Sequence, residues 1–302
     1  MHEITTIEPC EITGAASSAV ITYLGNLKPS GRRTMHRALE RLGMLFTSQG
    51  GCDPRTIPWH LVRYEHAAAA RAILPSFYAP ATVNKHLTAL RGISRECWRH
   101  GLMDGDTLAR IVDVPNLKGK RLPAGRMVSH DELRKLWIAA DGLGARYGAC
   151  LALLFSAGLR RSEAACVAHE HLTWATGADG AQTCWIKTVG KGDKERRVPV
   201  RGTGACRLRA VEPHNPYPKG LLLKAGCGRS VAKLLERIVR TAGIDHASCH
   251  DLRRSFVSHA LAGGAPIADV ARVAGHADPR TTAGYDRRAD DALVGVADAL
   301  PE

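Results

Sequence analysis

The sequence predicts a mainly α-helical protein with one small antiparallel β-sheet, organised as two domains. Apolar residues recur at helical spacing through most of the chain, most clearly over 34–46 and 82–99. Two short runs rich in β-branched residues, 185–189 and 197–200, flank the sequence GKGDK, which is typical of a hairpin turn. A stretch rich in Pro, Gly, Lys and Arg at 115–128 separates the two halves, and 302 residues are enough for two domains.

The composition describes a basic globular protein. Hydrophobic residues make up 45% and charged residues 24% of the chain, and the formal net charge is +13. A positive chain is attracted to phosphate backbones, although a generally basic enzyme fits the charge as well. Nine cysteines occur singly without a CxxC pair, and no apolar run reaches membrane-spanning length. We therefore expect a soluble cytoplasmic protein with reduced thiols and no membrane partner.

The first half predicts a helical domain over residues 15–114, after a short polar lead-in at 1–14. Its helical patterns run from Ala15, over 34–46, over 59–74 and over 82–99. The last of these helices has an apolar stripe, and its other faces carry four basic residues: Lys85, Arg91, Arg95 and Arg99. A charged stripe is most often a solvated helix face, and contact with a DNA backbone is the alternative that the pattern leaves open.

The segment 115–128 is predicted to be a flexible linker, because its Pro and Gly residues disfavour regular structure. Its basic residues Lys118, Lys120 and Arg121 suit contact with a polyanion. Two basic domains joined in this way predict a clamp that closes around duplex DNA. The second domain is predicted to cover 129–302, and the sequence SHDE at its start is typical of a helix capping box.

The second domain combines helices with the predicted hairpin. The segment 147–167 predicts two helices separated by a turn at Gly158, and 230–242 predicts an amphipathic helix. The segment 200–221 is rich in Gly and Pro and does not predict a long helix.

The sequence CHDLRRSF at 249–256 carries the most specific chemistry. His250 and Arg253 lie three residues apart in a helical pattern, so they share one helical face. Gly275 is a predicted helix stop, followed at once by His276, and Tyr285 falls on the next predicted helix. A guanidinium, two imidazoles and a phenol within about forty residues indicate a site for phosphoryl transfer to a tyrosine.

Together with GLRRSE at 158–163 and GKGDKERRVP at 190–199, these motifs resemble the tyrosine recombinase (phage integrase) family in order and spacing. The resemblance covers nearly all of 129–290, and the N-terminal half resembles the family's helical core-binding domain. It implies a two-domain, Xer-like, DNA-associated recombinase of a bacterial cytoplasm. The sequence departs from the family pattern in two ways. The segment 200–221 is short and rich in Gly and Pro, where the family usually has a longer helical stretch. We also expect that this protein has no separate arm-binding domain.

Breaking a phosphodiester by in-line attack concentrates negative charge on the non-bridging oxygens, which two arginines can stabilise without a metal. The resemblance assigns this role to Arg160 and Arg253. It also implies that Glu163 holds the site in shape and that Lys191 is the general acid for the departing 5′ oxygen.

The remaining roles also follow from the resemblance: His250 is the general base, His276 donates to a phosphate oxygen, and Tyr285 is the nucleophile. A 3′-phosphotyrosine conserves the energy of the broken bond, so no ATP or other cofactor is expected. A zinc site at the histidines is the competing idea, but no cysteine or carboxylate lies at ligand spacing. We therefore expect no metal.

The implied partners are double-stranded DNA at a specific site and further copies of the chain, as a tetramer on two synapsed duplexes. We hypothesise that the apolar tail at 286–302 docks on a neighbouring protomer. The sequence leaves open whether accessory DNA-binding proteins or a second recombinase also take part. Two alternative functions are a type IB topoisomerase and a DNA-binding regulator without catalysis; the full set of polar residues argues against the regulator.

Overall fold

The computed structural model describes residues 14–47, 51–119, 125–190, 195–211 and 220–275. The chain divides into two compact units, Met1–Leu122 and Pro123–Glu302. The predicted fold class is confirmed: helices dominate both units, and the described residues form one three-stranded antiparallel sheet, which lies in the second unit.

The first unit is a helical domain whose core is closed by α4. Its helices are α1 (Gly14–Gly25), α2 (Pro29–Thr47), α3 (Tyr64–Ile73), α4 (Pro80–Arg99) and α5 (Gly105–Asp113). The apolar stripe predicted for α4 is buried, as shown by Leu87, Leu90 and Ile93. It packs with Leu39 and Phe46 of α2 in one core, which accounts for the helical spacing in both segments.

Two parts of this unit differ from the prediction. The segment 59–74, predicted as one helix, is a short 3₁₀ turn at Trp59–Leu61 followed by α3. The break has a local cause, because the buried Trp59 indole donates to the Pro54 carbonyl at 2.7 Å and the Arg63 backbone N–H donates to His66 Nδ1 at 3.1 Å. Helix α5 was not predicted, although Asp104 caps it by accepting from the Thr107 N–H at 2.8 Å.

The residues after α5 have specific contacts with α4. The Asn84 side chain accepts from the Leu117 N–H at 2.8 Å and donates to the Leu117 carbonyl at 3.0 Å. The Arg71 guanidinium donates to the Pro115 carbonyl at 2.8 Å. The backbone of this stretch of the predicted linker is therefore bound along the helical domain.

The second unit surrounds its sheet with helices. They are α6 (His130–Leu143), α7 (Ala145–Leu151), α8 (Arg161–Cys166), α9 (Gly202–Val211), α10 (Gly228–Thr241), α11 (Cys249–Ala262) and α12 (Ile267–Ala274). Helix α7 continues into a π-turn at Ala152–Ser156. The predicted capping box opens α6, where Ser129 Oγ accepts from the Glu132 N–H at 3.2 Å and Glu132 accepts from the Ser129 N–H at 2.9 Å.

The sheet has the strand order β1-β2-β3, with β1 at Leu172–Thr176, β2 at Gln182–Val189 and β3 at Glu195–Val200. Strands β2 and β3 are the predicted hairpin, in a register that places Ile186 opposite Val198. Both residues are buried in the main core of the unit. Strand β1 was not predicted.

Helix α9 occupies ten residues, Gly202–Val211, of the Gly- and Pro-rich segment 200–221. Its residues Ala205, Leu208 and Val211 are buried against the core. Gly204 serves packing here, because an added Cβ would lie 2.5 Å from Ser156 Oγ. Residues 212–219 lie outside the described residues.

The last two described helices bring the predicted motifs into contact with the core. Ser248 caps α11 by accepting from the Asp251 N–H at 3.2 Å. Helix α12 ends as predicted at Gly275, which is left-handed with φ +68°. None of the described helices is long and apolar enough to cross a membrane.

Candidate active site

An open cleft of about 930 Å³ joins the start of α8 to the start of α11. Its described walls include Arg160, His250 and Arg253, which come from two motifs about ninety residues apart in sequence. Further basic side chains, Arg161, Arg240 and His246, line the same cleft. The four arginines of these described walls outnumber the two carboxylates, Glu236 and Asp245, and this excess of positive charge suits an anionic ligand.

Arg160 is fixed by its position at the N-cap of α8. Its backbone N–H donates to Glu163 Oε2 at 2.9 Å, and its guanidinium donates to Glu163 Oε1 at 2.8 Å. The second terminal nitrogen donates to the Gly275 carbonyl at 2.9 Å. One side chain therefore connects the GLRRSE turn to the end of α12.

Arg253 is more deeply placed, with 4% of its surface exposed. Its guanidinium donates to the Gly158 carbonyl at 2.5 Å and to the Ala274 carbonyl. Gly158 has φ +58°, and an added Cβ would lie 2.4 Å from the Phe256 ring of α11. The turn at Gly158 thus needs glycine both for its backbone conformation and for its close approach to the helix that carries Arg253.

A third arginine completes the arrangement at the end of α12. Arg196, on β3, donates from Nε to the Val273 carbonyl at 3.1 Å. Its terminal nitrogens donate to both oxygens of Glu163, at 2.8 and 3.3 Å. Arg196, Arg253 and Arg160 therefore bind three successive carbonyls, those of residues 273, 274 and 275.

Glu163 is the common acceptor for two of these arginines. Burial would raise the pKa of its carboxyl, but the hydrogen bonds from Arg196 and Arg160 outweigh burial and hold that pKa below its usual range. Glu163 is therefore an anion in the folded protein. Its carboxylate connects the side chains of Arg160 and Arg196.

His250 lines the cleft from the first turn of α11. Partial burial of the ring lowers its pKa, and the neighbouring guanidiniums of Arg254, Arg253 and Arg160 lower it further against the opposing charge of Asp251. The imidazole is therefore neutral at neutral pH. A neutral imidazole can accept a proton, which is what a general base requires.

Residues 125–128 run along α11 and are bound to it at three points. The Arg126 N–H donates to Asp251 at 3.1 Å, the Arg254 guanidinium donates to the Gly125 carbonyl at 2.9 Å, and the Val128 N–H donates to Ser255 Oγ at 2.8 Å. Asp251 also accepts from the Ser248 hydroxyl at 2.6 Å. The end of the predicted linker therefore helps to position the helix that carries His250 and Arg253.

Several predicted site residues lie outside the described residues: Lys191, His276, Tyr285, Lys120 and Arg121. In sequence, Lys191 lies between β2 and β3, and His276 comes two residues after the end of α12. The structure brings together Arg160, Glu163, His250 and Arg253 from the predicted set.

The basic residues predicted on α4 have different environments. Lys85, Arg95 and Arg99 are exposed, as is Lys118 beyond α5, but Arg99 is paired with Glu96 at 2.6 Å. Arg91 is half-buried and donates to the Asn116 side chain at 2.9 Å and to the Val114 carbonyl at 2.5 Å. Arg91 therefore has a structural role in binding the start of the predicted linker.

Sequence reasoning assigned no role to Arg196, although it lies within the GKGDKERRVP motif. One signal was available in the alternation of side chains along a β-strand. It places Arg196 on the same face of β3 as the buried Val198, and Arg197 on the opposite face. The partners of Arg196 lie 33 and 77 residues away in sequence, at Glu163 and Val273. Among the residues with described positions, no group of three or more His, Cys, Asp or Glu side chains is placed to hold a metal ion.

Comparison with known proteins places this site in a family. The model of the phage integrase family matches residues 126–291, more than half of the chain. The chain is 31% identical over 241 residues to the tyrosine recombinase XerD of Caulobacter vibrioides, covering 72% of this chain and 74% of that protein. It is 29% identical over 223 residues to XerD of Listeria monocytogenes, covering 68% of this chain and 71% of that protein.

A solved structure of the XerH site-specific recombinase bound to palindromic difH substrate shares the fold, with a TM-score of 0.61 and 21% identity over 90% of this chain and 78% of that one. The chain belongs to the phage integrase family of tyrosine recombinases. The predicted family and the predicted enzyme class, a tyrosine-type site-specific DNA recombinase, are confirmed. The topoisomerase and regulator alternatives are not favoured.

Proposed function

We propose that the chain recombines double-stranded DNA at a specific site, with Arg160 and Arg253 binding the scissile phosphate and Tyr285 as the nucleophile. The observation that carries this proposal is the meeting of Arg160, Arg253 and His250 in one basic cleft. Two guanidiniums and a neutral imidazole supply charge stabilisation and a proton acceptor, which phosphoryl transfer to a phenol needs.

In this mechanism the Tyr285 oxygen attacks the phosphorus and its proton passes to His250. The bond from phosphorus to the 5′ oxygen breaks, and Lys191 protonates that oxygen as it leaves. A 3′-phosphotyrosine and a free 5′ hydroxyl result. His276 donates a hydrogen bond to a phosphate oxygen throughout. Attack by the 5′ hydroxyl of the partner strand on the 3′-phosphotyrosine restores a phosphodiester and releases Tyr285. The first round of exchange gives a four-way junction, and a second round on the other two strands resolves it.

We propose further that residues 15–114 form the core-binding domain and 129–302 the catalytic domain, with 115–128 connecting them. The exposed side chains of Lys85, Arg95 and Lys118 support contact with phosphates. Arg99 and Arg91 support it less, because their guanidiniums have partners within the protein. Lys120 and Arg121 follow Lys118 closely in sequence and are proposed as further phosphate contacts.

The proposed assembly is a homotetramer on two synapsed duplexes, with two protomers on each, inside a bacterial cytoplasm. Strand exchange between two duplexes needs four cleavages, and a single cleft supplies one. The hypothesis that the tail at 286–302 docks on a neighbouring protomer belongs to this proposal. Accessory DNA-binding proteins or a second recombinase are compatible with it.

The test begins with the DNA site, which the purified protein selects from a random duplex library. A duplex carrying that site and a nick close to the cleavage point loses its short 5′-hydroxyl fragment, so a covalent complex accumulates. We expect a covalent protein–DNA band from the wild type and none from Tyr285→Phe. Selective DNA binding without any covalent band would contradict the proposal, and so would equal relaxation of plasmids with and without the selected site.

A further inference from the structure

We infer that Arg196 is a positioning residue for strand cleavage: it holds Arg160 and the end of α12 in the geometry that the scissile phosphate requires. This inference rests on the proposed function. Arg196 occurs on the strand that follows the predicted Lys191 hairpin. Its contacts reach the two other segments that the proposed mechanism uses, the GLRRSE turn and the chain leading to His276.

Arg196 connects two segments inside the protein, Glu163 on α8 and Val273 on α12, and we call this pair of contacts the clamp. Its side chain is 12% exposed, and Glu163, its partner, is 5% exposed. All three guanidinium nitrogens donate: two to the carboxylate of Glu163 and Nε to the Val273 carbonyl at 3.1 Å. A planar fork of donors binds a carboxylate in a bidentate manner and a carbonyl on another element in fixed directions, a geometry that the compact ammonium group of lysine does not provide.

The same contacts argue against direct binding of substrate by Arg196. It is not among the described residues that line the cleft. Its charge is matched by Glu163, and its donors are directed at protein acceptors. Arg160, by contrast, lines the cleft while it donates to the same carboxylate. An effect of Arg196 on cleavage must therefore pass through its neighbours.

Two consequences follow when Arg196 is removed. Glu163 keeps its negative charge with only Arg160 to balance it, so the Arg160 guanidinium is drawn towards the carboxylate and away from the cleft. The end of α12 also loses a donor at Val273 and the guanidinium that packs against Gly275, where an added Cβ would lie 2.8 Å from Arg196. Both changes displace groups that the reaction needs by a fraction of an ångström or more.

The neighbouring Arg197 offers a matched control. It lies on the same strand with the same charge, but it is exposed and faces the other side of β3. Its guanidinium donates to Thr173 Oγ1 at 3.0 Å and lies over the Trp185 ring at 5.3 Å. Loss of a positive charge from β3 is therefore common to both substitutions, and loss of the clamp is specific to Arg196.

The experiment compares full-length Arg196→Gln, Arg196→Lys and Arg197→Gln on the nicked duplex described above. Single-turnover cleavage at saturating protein gives the rate constant, and a mobility shift gives Kd. We expect Arg196→Gln to lower the rate constant by about 10²-fold, the scale of an ångström-sized misplacement. Kd should change less than about threefold, because transition-state geometry is lost and ground-state binding is kept. Arg196→Lys should cleave at an intermediate rate, and Arg197→Gln at the wild-type rate.

A fourth variant separates positioning from general destabilisation. In Arg196→Gln/Glu163→Gln the unbalanced carboxylate is gone, so the double variant should cleave no more slowly than Arg196→Gln alone. Purely additive losses would overturn the inference. So would wild-type cleavage by Arg196→Gln, or a Kd that rises as much as the rate falls. If Arg196→Gln does not fold, Arg196→Lys decides: a folded protein with wild-type cleavage overturns the inference. Absence of a covalent band from the wild type itself would instead contradict the proposed function.

Discussion

The substitution Arg253→Lys tests whether Arg253 acts mainly on the transition state of strand cleavage. The Arg253 guanidinium spans two carbonyls on different segments, Gly158 before α8 and Ala274 at the end of α12. A lysine ammonium keeps the charge but cannot reach two such acceptors in fixed directions. The change therefore removes preorganisation from the cleft and leaves its net charge unaltered.

The expected magnitude has two parts. Loss of one well-placed donor to a developing oxyanion costs about 2.7–4 kcal/mol, so cleavage should slow by about 10²–10³-fold. One hydrogen bond from the charged group to a buried carbonyl is also lost, at about 2 kcal/mol of folding stability. For a unit of the size of Pro123–Glu302, which contains Arg253, that corresponds to a fall in Tm of roughly 4–8 °C.

Single-turnover cleavage of the nicked duplex and thermal unfolding followed by circular dichroism measure the two parts separately. Arg254→Lys is the matched control, because Arg254 is a buried neighbour on α11 whose guanidinium donates to the Gly125 carbonyl and does not line the cleft. It should lower Tm with a much smaller effect on cleavage. A collapse of DNA affinity in Arg253→Lys would refute the assignment, since Arg253 would then be a binding residue before a catalytic one.

Three further predictions concern titration and backbone geometry. Because burial and nearby arginines lower the pKa of His250, cleavage should fall with decreasing pH only below about 6.5, the usual imidazole value; an acid limb above that value would contradict the assigned role. The pKa of Glu163 is lowered in the folded state, so its ionised form adds stability at pH values above its unfolded pKa, and this stability is lost as pH falls through the folded pKa. The free energy of unfolding, measured by urea titration at several pH values, should therefore fall less steeply with decreasing pH in Glu163→Gln than in the wild type. An identical pH dependence in the two proteins would count against an ionised Glu163. Gly275→Ala should lower Tm and cleavage together, because φ is +68° and the new Cβ would meet Arg196; an unchanged Tm would show that the turn tolerates a side chain.

Much of the fold follows from sequence periodicity. The stripe on α4 and the hairpin of β2 and β3 were predicted because their buried residues recur at the period of the element. Strand β1 was missed for the same physical reason, since Leu172 alone is buried in it and no alternation marks the strand. The short helix α9 was not predicted, because its segment is rich in Gly and Pro; Gly204 is there because Ser156 leaves no space for a side chain.

Some residues of the candidate site could be predicted from the sequence and others could not. Arg160, His250 and Arg253 could be selected from the sequence because each stands in a short motif with a fixed spacing. The clamp residue Arg196 could not be given a role, because its acceptors lie on elements far away in the chain. The protein partners of Arg91, which was predicted as a DNA-contact residue, could not be foreseen for a related reason: Val114 and Asn116 follow α5, a helix that was not predicted.

The end of α12 explains how the site is ordered among the described residues. The last carbonyls of a helix have no partners within it and carry partial negative charge, so guanidiniums bind them well. Here Arg196, Arg253 and Arg160 take the carbonyls of residues 273, 274 and 275 in turn. The helix end therefore sets the spacing of Arg160 and Arg253, the two side chains proposed to bind the scissile phosphate. Changes at Gly275 and at Arg196 should consequently affect cleavage non-additively, because both act on one shared set of hydrogen bonds.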